Sequence, residues 1–388
     1  MRRRTLLGWG ATLTLAGSPA VSQLADAQRN RRLLVLLLRG AMDGLTALPP
    51  TGDPQLMALR SRLVPDHLLR GNDFFGVHPV LPTFAELLAQ GQAVAVHATG
   101  FDYRGRSHFE GQDLMQSGVA KPYTSGSGWL GRAMDRAALG NGVAISIPMP
   151  LLLRGDVGSE TQYPSWMQPP PASTYALVSE LWQGNPELAE LGQRMSRGRR
   201  ESATGGTMAM GGAFEERKSA AGLAREAAQR MRASDGPMVG LIDFNGFDTH
   251  ATQGAAEGLH ATRLKQVDEV LQAFRAAMGP RWQDSLVLTI TEFGRTAAEN
   301  GTTGTDHGWG TCILAAGGLV QQGGIVADWP GLSPQKLFEG RDLAVTVDGA
   351  AVYARALQSV FGLEPAQIQR GVLTHKPHPL TERLFRLA

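Results

Sequence analysis

The chain has 388 residues, 43% hydrophobic and 19% charged, the composition of an ordinary globular protein with a large core. Its formal charge is only +2, and Arg2, Arg3 and Arg4 account for more than that excess, so nothing in the overall charge points to nucleic acid or an acidic membrane surface as a partner. The lone cysteine, Cys312, rules out an internal disulfide and, set in an apolar run, reads as a small core residue.

The first residues carry three consecutive arginines ahead of Leu6 and Leu7, a Gly- and Thr-diluted apolar stretch over 6–16, and Ala25-Asp26-Ala27. This pattern predicts a twin-arginine export signal over 1–27, cleaved after Ala27, and a mature chain of 28–388 in the periplasm or outside the cell. The apolar stretch is too short to span a bilayer comfortably. No later segment has spanning length, so no stable membrane insertion is expected after cleavage. Export in the folded state suits a domain that takes up its cofactor first.

Next comes an apolar run over 33–38, read as a buried strand and followed by Arg39 and Asp43. A helix is predicted over 81–90, with Pro82 in its first turn, where the missing N–H has no partner to lose. A second buried strand, 93–98, ends near His97 and leads into Arg104-Gly105-Arg106-Ser107-His108-Phe109-Glu110. Ser107 and Glu110 have the spacing of a helix capping box. Ser107 also suits a nucleophile at a helix N-terminus, where backbone N–H groups and the arginines would hold an anionic ester. His108, adjacent in sequence, is expected to point elsewhere.

A third strand is predicted over 143–147. From about 151 to 233 the rhythm breaks: 155–171 holds Tyr163, Trp166 and three consecutive prolines, while 196–213 is rich in Gly, Ser, Arg and Met. This stretch is expected to form a loop-rich insertion that shapes access to the strand ends.

The strand at 238–244 precedes Asp248-Thr249-His250. In an extended segment residues i and i+2 point the same way, so both side chains could reach one ion, although taken alone the pair is better explained by a turn-capping Asp satisfied by a His. An amphipathic helix follows over 263–278, its Leu264, Val267, Leu271, Phe274 and Met278 recurring at three and four residues. A strand over 285–291 then leads to Glu292 and Arg295, and Asp306-His307-Gly308 directly precedes a strand over 312–316. The alternation implies one three-layer α/β/α sandwich with a mostly parallel central sheet. Oxygen and imidazole ligands recurring at strand ends are what such a fold needs to hold a metal in the crevice at one sheet edge.

The export signal together with LLVLLLRGAMDGL, FFGVHP, VHATGFDYRGRSHFEGQD, DFNGFDTHATQG, LTITEFGRT and GTDHGWGT resembles the exported family known as domain of unknown function 1501. That family is similar to the alkaline phosphatase superfamily of phosphatases, sulfatases and phosphoglycerate mutases, whose fold is an α/β/α sandwich with paired metals. By that resemblance Asp43 matches the first-strand acidic ligand and Ser107 the nucleophile position. Asp248, His250 and His307, with Asp306 beside the last, match the ligands of one metal. Glu292 falls where the superfamily has an Asp followed by a His for the other metal. Phe293 replaces that His, and the interval from Asp248 to His250 is shorter than usual, so one ion is favoured over two.

The sequence thus reads as an exported hydrolase of phosphate or sulfate esters that uses a divalent metal, Zn, Mn or Fe. Ser107 would attack, Asp248, His250, Asp306 and His307 would hold the metal, and Asp43 and Glu292 would hold or replace a second. Arg104, Arg106 and Arg295 would neutralise a small or polymeric anionic ester. The alternative is a noncatalytic exported protein that keeps the fold for envelope assembly or polymer binding.

Overall fold

Arg32 and the apolar run that follows it extend as the centre of a sheet, in a computed structural model that describes residues 28–146, 148–163, 172–186, 188–189, 192 and 216–387. The expected export signal, 1–27, lies outside the described residues, as do 164–171 and the expected Gly- and Met-rich stretch 196–213. No helix among the described residues is long and apolar enough to cross a membrane.

In chain order the strands are β1 (Arg32–Leu38), β2 (Leu69–Arg70), β3 (Gly76–Val77), β4 (Ala93–Gly100), β5 (Gly142–Ile145) and β6 (Ser159–Thr161). They continue as β7 (Val239–Phe244), β8 (Ser285–Ile290), β9 (Thr311–Ala316), β10 (Gly324–Ala327) and β11 (Val347–Asp348). β2 and β3 form a separate ribbon; the other nine make one sheet in the order β10-β4-β9-β8-β1-β7-β5-β6, with β11 also pairing with β4. The six apolar runs of the sequence are therefore strands, shifted by a residue or two at their ends.

Alternation along β1 assigns the layers. Leu33, Val35 and Leu37 enter one core with residues of α2 (His108–Ser117), α3 (Trp129–Ala137) and α6 (Gly349–Phe361). Leu34, Leu36 and Leu38 enter the other with residues of α1 (Pro82–Ala89), α4 (Ala220–Met231) and α5 (Leu259–Met278). All six side chains are essentially inaccessible to solvent, and each contributes about 2 kcal/mol by leaving water. The result is a helix–sheet–helix sandwich with a mostly parallel sheet. Within the stretch 151–233, β6 is the edge strand and α4 packs on the sheet.

One strand runs against the rest: β9 is antiparallel to both β4 and β8, whereas the other pairings of the large sheet are parallel. Its first residue, Thr311, pairs with Thr99 near the end of β4. Residues that precede β9 consequently reach the same edge as residues that follow β1, β4, β7 and β8. This reversal brings His307 to the others.

Candidate metal centre

Beyond β7, buried Phe247 and Thr249 alternate with exposed Asp248 and His250. The latter two share a side, as an extended segment requires, and His250 Nε2 lies 3.0 Å from Asp248 Oδ1. Beyond β1, Gly40 adopts φ +110°, and a Cβ there would run into the backbone of Phe247 and Asp248. Glycine thus lets the two loops touch, and its N–H donates to Glu292 Oε1 at 2.8 Å.

Glu292, Phe293 and Arg295 follow β8 and are all buried. Their backbone pairs with the approach to β9: Gly308 N–H donates to Gly294 O and Gly294 N–H to Trp309 O, both at 2.9 Å. His307 is set beside Arg295 by the same pairing. After β4, Arg106 takes a left-handed turn (φ 56°), and its carbonyl accepts a hydrogen bond from His307 Nδ1 at 2.8 Å.

Three imidazoles and one carboxylate meet here. His108 Nε2 is 3.3 Å from Asp248 Oδ2, and His307 Nε2 is 3.3 Å from Asp248 Oδ1. His108, Asp248 and His307 each offer one donor atom, all within 4.8 Å of one another. His250 Nε2 lies 2.9 Å from His307 Nε2. Phe293 packs beneath, its ring centre 5.0 Å from that of His108 and 5.3 Å from that of His307.

The opposite nitrogens fix the tautomers. His108 Nδ1 faces Glu292 Oε1 at 2.8 Å, His250 Nδ1 faces Asp306 Oδ1 at 3.2 Å, and His307 Nδ1 faces the Arg106 carbonyl. A carboxylate and a carbonyl can only accept, so all three Nδ1 atoms carry hydrogen. In the neutral rings every Nε2 then presents a lone pair, and all three converge on an anion. His108 Nε2 is buried without a hydrogen-bond partner, because its approach to Asp248 lacks hydrogen-bond geometry. Lone pairs gathered around a carboxylate are satisfied by a proton or a metal cation between them, and the donor set fits a divalent metal. Backing each ligating ring with an acceptor on its far nitrogen is how metal sites orient histidine.

The electrostatics agree. Burial raises the pKa of Asp248, but Arg295, His108 and His250 outweigh it and hold the carboxyl below its usual range. Burial likewise works against ionised Glu292, yet hydrogen bonds from His108, Gln112 and the Gly40 N–H keep its pKa low. His307 is pulled down by burial. His108 is raised: burial opposes its charge, and the Glu292 and Asp248 carboxylates overcome it. The field that raises its proton affinity equally favours a metal.

The other residues expected at the site divide into groups. Glu292 and Asp306 hold the rings of His108 and His250 instead of joining the inner set. Asp43 is fully buried elsewhere, both oxygens bound by Arg60 Nη1 at 2.9 Å, and it caps the one-turn helix Gly44–Ala47. Arg295 is buried with its nitrogens on Asp248 Oδ1 and on the Thr305 hydroxyl and carbonyl, so its guanidinium is committed to holding these two loops. Arg106 is paired with Glu339 and Asp342, and Arg104 lies over the rings of Trp309 and Phe338.

Ser107 precedes α2 in extended conformation, but its side chain makes no capping bond. The expected capping box is displaced by Tyr103, whose phenol oxygen accepts from Ser107 N–H at 3.1 Å and donates to Glu110 Oε2 at 2.8 Å. His108 is the member of the cluster that sequence reasoning set aside. Its signal was a helix-opening histidine with an acid, Glu292, held in reserve at a neighbouring strand end.

Fold and site together define a mixed α/β sandwich with a cluster of three histidines and a carboxylate at one edge of its sheet. The family described as "Protein of unknown function (DUF1501)" matches residues 177–372, just over half of the chain, and the protein belongs to that family. No curated protein matches the sequence. Among solved structures, a sulfatase from Pseudoalteromonas sp. is similar at 12% identity and TM-score 0.43, over 95% of this chain and 75% of its own. Murine ectonucleotide pyrophosphatase/phosphodiesterase 5 gives 9% identity and TM-score 0.43, over 91% of this chain and all of its own. The C-terminal periplasmic domain of EcEptC from Escherichia coli, in complex with Zn, gives 9% identity and TM-score 0.34, over 74% of this chain and 73% of its own.

Proposed function

We propose that the protein is an exported metal-dependent hydrolase of phosphate or sulfate esters. The carrying observation is the convergence of His108, His250 and His307 Nε2 lone pairs on Asp248, each ring fixed from behind by an acceptor. These four residues would hold one divalent ion, Zn, Mn or Fe, whose contribution is Lewis acidity toward an ester oxygen. Ser107, next to His108 at the start of α2 and free of a capping bond, is assigned as the nucleophile. Arg104, more than half exposed, is the arginine of the three most open to an anionic substrate.

The test begins with elemental analysis of protein purified without chelator, where near-stoichiometric metal is expected in the parent and its loss in His108→Ala. The metal-loaded parent is then assayed on aryl phosphates, phosphodiesters and aryl sulfates. Background metal in a folded parent rejects the reading. Metal without turnover of any ester supports the noncatalytic alternative.

A further inference from the structure

We infer that Gln253 is a positioning residue of this metal centre: its buried amide sets the spacing between the loop carrying Asp248 and His250 and the loop carrying His307. The inference rests on the metal centre proposed above. Gln253 has no exposed surface. Its Oε1 accepts from Thr249 Oγ1 at 2.8 Å and from Thr305 Oγ1 at 2.6 Å. Thr249 stands between Asp248 and His250, and Thr305 stands two residues before His307. The two loops also meet directly, Thr305 N–H donating to Thr249 O at 3.1 Å.

The amide has one permitted orientation. Its Nε2 donates to Asp43 Oδ2 at 2.7 Å and to Thr46 Oγ1 at 3.2 Å. Asp43 can only accept, and Thr46 spends its own proton on Asp43 Oδ2 at 2.8 Å, so nitrogen must face this side and oxygen the threonines. The Thr305 hydroxyl in turn accepts from Arg295 Nε at 3.1 Å, while Arg295 Nη1 donates to Asp248 Oδ1 at 2.6 Å. A one-directional chain of donors therefore runs from Arg295 through Thr305 and Gln253 to Asp43, whose charge Arg60 balances. It ends on a metal ligand at one side and on a buried ion pair at the other. A methionine at 253 fills the same space but leaves two buried hydroxyls without their acceptor.

The experiment compares the full mature chain with Gln253→Met, Thr305→Val and Thr305→Ser. The readouts are Zn²⁺ affinity by competition with a chromophoric chelator, the visible spectrum of the Co²⁺ form, and melting of the metal-free protein. Gln253→Met and Thr305→Val are expected to bind Zn²⁺ about tenfold more weakly and to shift the Co²⁺ bands, with Thr305→Ser, which keeps the hydroxyl, close to the parent. A purely structural role would lower melting and leave affinity and spectrum of the folded fraction unchanged, which would overturn the inference. So would failure of both Gln253→Met and Thr305→Val to fold, since it would assign the chain of donors to the scaffold. A parent that binds neither Zn²⁺ nor Co²⁺ is a different result: it removes the metal centre itself, and this inference with it.

Discussion

His250 and His307 meet Nε2 to Nε2 at 2.9 Å, although each has already committed its Nδ1 hydrogen to an acceptor behind it. Two lone pairs at that distance repel unless a cation stands between them. Alanine at His108, His250 or His307 should therefore strip most of the metal from protein purified without chelator. Glu292→Gln and Asp306→Asn, which alter only the groups behind the rings, should keep the ion with affinity lowered by about 10–100-fold. Undiminished affinity in His108→Ala would show that this ring is not a ligand.

Ser107 separates a cap from a nucleophile more sharply than its sequence context suggests. A capping serine lost to alanine costs about 1 kcal/mol, but here Tyr103 takes both groups the box would have joined. Ser107→Ala should melt within a degree or two of the parent and lose ester turnover by orders of magnitude. Full turnover in the variant would show that the serine is not the nucleophile.

Asp43 should behave as a structural residue. Its carboxylate and the Arg60 guanidinium are both buried, and the pair, with Gln253, Thr46 and the neighbouring His260, holds its pKa far below the usual carboxylate range despite burial. Asp43→Asn leaves the Arg60 charge without its counterion inside the protein, at a cost of about 3–5 kcal/mol in denaturant unfolding. Metal stoichiometry of the folded fraction should stay at the parent value, and its loss would return Asp43 to the ligand set.

Asp248, His250 and His307 were legible in the sequence because each adjoins a long apolar run, and such runs place their neighbours at a sheet edge. That His307 shares the edge depends on the reversal of β9, and an apolar run carries no sign of its direction. Glu292 and Asp306 were recognisable as site residues but not as outer partners, since residue type alone does not say whether a carboxylate touches the ion or the ring that does. Arg60, which neutralises Asp43, lies on a short helix with little pattern, so the buried pair was hidden. β6, β10 and β11 were missed because two to four residues at a sheet margin are too few to show a period.

His97 gives the fold a defined sensitivity to acid. It is fully buried at the end of β4, stacked on Phe75 at 5.1 Å and edge-on to Trp329 at 5.3 Å, and its Nδ1 accepts the Ala98 N–H while Nε2 donates to the Gly44 carbonyl. Burial disfavours the imidazolium and pulls its pKa from 6.5 to about 4. Between those values the unfolded chain binds a proton that the folded chain refuses, so stability rises with pH across the window and is lost as pH falls through it. Below about 4 both states are protonated and this contribution levels off. One such proton is worth about 1.4 kcal/mol per pH unit near the middle of the window. His97→Gln keeps an acceptor and a donor but cannot titrate. Urea unfolding measured from pH 6.5 to pH 4.5 should therefore show a slope against pH that is smaller in the variant by about one proton. Equal slopes in the two proteins would mean that His97 is protonated in the folded state and that its ring environment is open to charge.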